Sequence, residues 1–165
     1  VVPMVRKFGK RAASSIGMGF SAAMLIVCNL THTHSAMVWL VFDALIFVGL
    51  GIWASVQWSL VGDIVDDTEV RTGTRADGGI YGAFSFSRKL GQALSSGVCG
   101  TLLSIIGYTT ATAADEAVVN GIFSVTTLVP AVAYICMIVV LMTLYPLSKK
   151  RVEENAAILE ERHSK

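Results

Sequence analysis

Apolar residues fall in four long runs along this chain, at about 12–30, 36–60, 78–106 and 117–144, with polar connectors between them. A hydrocarbon layer of about 30 Å is crossed by ~20 residues of helix, so each run is long enough to span. The first holds no charged residue and is rich in small ones, Gly17, Gly19, Ser21, Ala22 and Ala23 among them. The second is apolar apart from Asp43 and Gln57 and follows the short connector 31–35, so it turns straight back across the layer. The third contains Arg88 and Lys89; the fourth contains Pro130, a predicted kink, and ends before Pro146. The pattern predicts an all-α membrane protein with four transmembrane helices, no internal repeat and no domain boundary.

The polar segments set the orientation. The interval 63–77 carries five acids against Arg71 and Arg75 and is expected in water, within a cytoplasmic loop 61–77. Its carboxylates are not at alternate positions and no glutamate closes the run, so it is no calcium loop; ion pairing with Arg6, Lys7, Lys10 and Arg11 is the expected role. The tail 145–165 is charged, with Val152, Ala156 and Leu159 at helical spacing, and predicts a solvated terminal helix. Eleven of the 13 Lys and Arg fall before the first span, in 61–77 or after the fourth, and none in the other two connectors. The positive-inside rule then puts both termini of this multi-pass chain in the cytoplasm.

Composition agrees, with 53% hydrophobic and only 15% charged residues. A net charge of +1 with no basic block argues against nucleic acid. Cys28, Cys99 and Cys136 sit singly in apolar runs and read as small packing residues. No hydrolase, zincin, P-loop or dinucleotide motif is present, so no enzyme or cofactor is expected. His32 and His34 lack a third ligand for a metal. The opening at Val1, with basic residues before an apolar run but no cleavage site, reads as a piece of a longer chain.

The third span is the informative one. On a wheel of about 100° per residue, Tyr81, Ser85, Lys89, Gln92 and Ser96 lie within roughly 80° of one another, while the apolar Phe84, Leu90, Leu94, Val98, Leu102 and Ile105 lie elsewhere. A lysine in hydrocarbon costs several kcal/mol and normally faces a wet protein interior; the alternative is that Arg88 and Lys89 snorkel to the headgroups. Asp43 and Gln57 share a face of the second span, with Trp53 and Trp58 beside them; Trp58 also suits an interfacial anchor. Small pairs at four-residue spacing, Gly17 and Ser21, Gly78 and Gly82, Ala93 and Gly97, Ser96 and Gly100, predict close helix contacts.

The run 36–108, above all GDIVDDTEVRTGTRADGGIYGAFSFSRKLGQALSSGVCGTLLSIIGY, resembles the C-terminal region of the glycoside-pentoside-hexuronide:cation symporters, the glucuronide and melibiose permeases among them. An Asp with further acids leads into Thr-Gly-x-Arg, Tyr-x-x-x-Ser-Phe, Arg-Lys-x-Gly-Gln-Ala and a closing Ile-Gly-Tyr; VPMVRKFGKR is similar to the link before that family's ninth helix. The resemblance covers this chain but about a third of a family member. It implies helices nine to twelve of a twelve-helix major-facilitator fold, the N-terminal half being a missing partner. It further implies uptake of a sugar, glycoside or hexuronide coupled to Na+ or H+ by alternating access. Lys89 then matches a lysine of the sugar and cation cavity, Ser85 a neighbouring hydroxyl, Gln57 and Trp58 polar and aromatic positions on helix ten, and Gln92 joins them from the stripe. The family's cation-binding aspartates belong to helices two and four, which Asp43 does not replace, so the cation site is expected mostly outside this chain. The competing expectation is a small four-helix membrane protein that assembles or regulates other subunits; a four-helix drug exporter would want an acid in the first span, which has none.

Overall fold

The computed structural model describes residues 1–33 and 35–164, and among these the chain is helical without strands: α1 (Val2–Phe8), α2 (Lys10–Thr31), α3 (Ala36–Thr72), α4 (Asp77–Ile106), α5 (Glu116–Leu144) and α6 (Lys149–His163). The turn from α1 into α2 needs Gly9, at φ +83°, where an added Cβ would also press on Lys149 Cβ at 3.1 Å. Ser148 caps α6 by accepting from the Arg151 amide.

Helix α2 lies at the centre, packed along α3 and α5. From Ala12 onward it carries no charged residue, which suits two neighbours, and its small residues bring one of them very close. A Cβ on Gly17 would stand 2.8 Å from Gly49 O, and one on Gly49 would run into Ser21 Oγ and Gly17 O. Ser21 Oγ donates to Ile46 O at 2.7 Å across the same crossing. Apolar clusters sit on either side: Met18, Val56, Leu60 and Leu141 on one, Leu25, Ile46 and Ala131 on the other, with Tyr134 packed against both. Of the four small pairs, only Gly17 and Ser21 meet a neighbour at both residues in this way; Gly78, Gly82, Gly97 and Gly100 face open space.

Three expectations change. Among the described residues, three helices, α2, α3 and α5, are by length and composition alone apolar enough to cross a membrane. The fourth expected span, α4, has the length at 30 residues, but its polar stripe and Arg88–Lys89 pair dilute its apolar content. The segment 61–77 is not an open loop, because α3 continues without a break to Thr72. Its 37 residues reach ~56 Å, longer than the about 30 Å of a hydrocarbon layer, and 61–72 make its last three turns. Nor is the tail merely solvated: α6 folds back onto those turns, burying Asn155 and Leu159. Many large apolar side chains stay exposed, such as Phe47 and Val48 on α3 and Val132 and Val139 on α5, a surface suited to lipid or further helices.

Candidate functional site

Helix α4 meets α3 along one seam, and Trp58 makes it. The indole lies 6.3 Å from the Tyr81 ring at 21°, 5.0 Å from Phe84 edge-on at 74°, and 5.3 Å from the Arg88 guanidinium carbon. Residues 81, 84 and 88 recur at helical spacing, so one face of α4 is committed to Trp58. Gly62, a turn further along α3, leaves room for the Tyr81 hydroxyl.

The expected site residues divide accordingly. Trp58 and Tyr81 are brought together, and Gln57 stands next to Trp58, half-buried. Ser85, Lys89 and Gln92 lie round the helix from the seam, exposed, and no residue of α4 is buried. Among the described residues Lys89 has no hydrogen bond or ion pair, whereas its neighbour Arg88 is held by Trp58. The stripe is therefore an open polar edge rather than a closed pocket. Asp43 borders a cavity of about 260 Å³ with Trp39, Thr126, Thr127 and Tyr134. His32 ends α2, with Nδ1 2.7 Å from Asn29 O and its ring 5.5 Å from Phe123, which is a capping role; His34 lies outside the described residues. Cys28 is buried as a packing residue, while Cys99 and Cys136 are exposed.

A second polar centre occupies the projecting end of α3. Asp63, Asp67 and Glu69 are buried there. Lys10 donates to Asp63 at 2.5 Å, among the described residues the one contact of this end with the four N-terminal cations expected to pair with it. The others find different partners. Asp67 accepts from Arg151 at 2.9 Å and Asn155 at 3.0 Å; Glu69 accepts from Arg75 at 2.8 Å and lies 2.9 Å from His163 Nε2. Arg162 donates to Glu69 O and Val70 O, at the carbonyl end of α3. Burial works against the Asp67 carboxylate, but the bonds from Asn155 and Arg151 and the charges of Arg151 and Arg71 outweigh it and hold its pKa below the ordinary value. Hydrogen bonds from Arg75 and His163 do the same for Glu69. At Asp63 burial wins over Lys10, and its pKa is raised. The Tyr145 hydroxyl, also desolvated and 3.5 Å from Asp63, is pushed up.

Residues 1–149 match the family described as MFS/sugar transport protein. The chain belongs to this family. It is 32% identical over 98% of its length to a symporter, YjmB, of Bacillus subtilis, covering 34% of that protein. It is 31% identical over 96% of its length to a glucuronide carrier protein homolog of Escherichia coli, covering 35%, and 32% identical over 98% to a putative sulfoquinovose importer of the same organism, covering 34%. The chain thus spans about a third of the length of these relatives. No solved structure matches it.

The family is one of membrane transporters and not of enzymes, and the groups this chain offers are those of recognition. The open edge of α4 presents a cation, a hydroxyl and an amide in one row, groups that bind polyols and anions by hydrogen bonding. The sequence marks the acids of α3 as ion-pairing groups but points them to the N-terminal cations, of which Lys10 alone reaches one among the described residues. The signal for their partners was present in the tail: Arg151, Asn155 and Arg162 share one face of α6 at helical spacing.

Proposed function

We propose that the carrier containing these helices moves a sugar, glycoside or hexuronide across the cell's inner membrane together with Na+ or H+, by alternating access. In this reading α2 to α5 take places nine to twelve of a twelve-helix fold, α4 spans with them, and both termini are cytoplasmic. The observation that carries it is the row Ser85, Lys89 and Gln92, whose side chains have no partner among the described residues, on a helix that buries none of its residues. A polar edge of this kind on a membrane helix is stable where it borders a wet vestibule, and the rest of a carrier three times this length supplies the opposite wall. Lys89 attracts an anionic sugar, Ser85 and Gln92 bond its hydroxyls, and the Gln57–Trp58 pair flanks them from α3. Two relatives named for a glucuronide and for sulfoquinovose, both anionic sugars, fit a cationic contact. The cation site falls mainly in the part of the carrier outside this chain.

Uptake of radiolabelled glucuronide and of a neutral glycoside into vesicles holding the intact carrier, with and without a sodium gradient, tests this. Accumulation driven by a sodium or proton gradient is expected. Equal equilibration with every gradient collapsed would refute coupling, and no uptake of either sugar would refute the substrate class.

A further inference from the structure

A cavity of about 410 Å³ lies away from the α4 edge, walled by α1, the first turn of α2, the end of α5 and α6. Its size is that of a ligand site. Val5, Phe8, Leu60, Leu147 and Val152 give it an apolar lining. Around that lining stand four cations, Arg6, Lys10, Arg11 and Lys149, against two acids, Asp63 and Glu153. Lys10 is neutralised by Asp63, and Lys149 lies only 3.8 Å from an exposed Glu153 while its ammonium donates to Arg6 O at 2.7 Å. Arg11 donates to the Met142 and Tyr145 carbonyls and has no carboxylate partner among the described residues, and Arg6 is exposed. The cavity therefore keeps an excess of positive charge beside an apolar wall. Its place along the helices matters as much: Arg11 immediately precedes the apolar run of α2 and Met142 lies two residues before the end of that of α5, so with these runs read as spans the cavity falls at the level of the phospholipid phosphates. A second cavity of about 380 Å³ on the other flank of α1 shares Val5, Arg6 and Lys10 and adds Val1, Val2 and Val56. The cationic edge of α1 thus borders apolar space on both sides, as two acyl chains under one headgroup require.

We propose that this cavity binds an anionic phospholipid, with the phosphate on Arg6, Arg11 and Lys149 and an acyl chain against Val5, Phe8 and Val152. Basic pockets at the cytoplasmic ends of membrane helices attract anionic headgroups because the local potential adds to hydrophobic burial of the chains. A bound lipid joins α1 to α6, which otherwise touch polar-to-polar through Lys149 and the Arg6 carbonyl.

The test is lipid retention by the intact protein purified from mixed phosphatidylglycerol–phosphatidylcholine membranes, read by mass spectrometry. Severalfold enrichment of phosphatidylglycerol over the bulk ratio is expected. Arg6→Gln with Lys149→Gln returns the ratio to bulk. Glu153→Gln, which removes the exposed acid at the rim, raises it, a gain that misfolding does not produce. Three results overturn the proposal: the bulk ratio in the unmodified protein, as when another segment of the carrier fills the cavity; enrichment that neither substitution moves; and enrichment abolished by millimolar glycerol phosphate, which marks a site for a free anion. Because retention is read without transport, it stands or falls apart from the uptake experiment.

Discussion

Asp67, in the turns of α3 that project past the apolar span, accepts from Arg151 of α6 at 2.9 Å and is itself buried. That contact, with Asn155 beside it, fixes the tail against the bundle. A buried carboxylate that loses a charged donor costs about 1–3 kcal/mol, so Arg151→Ala is expected to weaken the docking of α6 by that order. Faster cleavage after Lys149 or Lys150 in limited proteolysis, with the span helices intact, is the measurement.

The same contact sets a pH dependence. Asp67 and Glu69 both have folded pKa values below their unfolded ones, so they stabilise the docked tail above the ordinary carboxylate range and that contribution is lost as pH falls through the lowered values. Asp63 acts in the opposite sense, its raised pKa favouring the folded protonated form at low pH and costing stability as pH rises through it. A fluorescence distance between labels on α3 and α6 is expected to hold constant from neutral pH down to the carboxylate range and to lengthen below it. An Asp67→Asn variant shifts the onset upward in pH or leaves the tail loose throughout.

At the crossing of α2 and α3, Gly49 has no room for a methyl group because Ser21 Oγ and Gly17 O already occupy the place. Gly49→Ala is expected to lower thermal stability, by about 1–3 kcal/mol as for overpacked cores, whereas Gly97→Ala, with open space around it, changes the packing of these helices little. Melting of the two variants in detergent compares them directly. Ser21→Ala removes one buried bond to Ile46 O and is expected to cost about 1 kcal/mol or less.

Lys89 and Arg88 are adjacent but do different work. Arg88→Ala removes the cation over Trp58 and loosens α4 by about 0.5–1 kcal/mol. Lys89→Ala leaves that seam intact and is expected to cut uptake of an anionic sugar at least tenfold, with protein amount unchanged and neutral glycoside less affected. Unchanged glucuronide uptake by Lys89→Ala would remove Lys89 from the site.

The helical class, the apolar runs and the α4 stripe were all legible in the sequence, because a bilayer fixes the length of a span and the wheel fixes which residues share a face. The Gly17–Ser21 pair was legible too, since close approach needs small side chains at helical spacing. The partners of those faces were not. Phe84 and Arg88 looked like an apolar position and a snorkelling cation until Trp58 was placed over both, and 61–72 looked like an aqueous loop because carboxylates without visible partners belong in water. Periodicity reports which direction a residue faces on its own helix, and pairing energy depends on what another helix brings to the same point. Only the tertiary structure decided that α6 brings Arg151, Asn155 and His163 to the end of α3, and that these donors let Asp67 and Glu69 be buried in helix where the chain alone predicts a solvated loop.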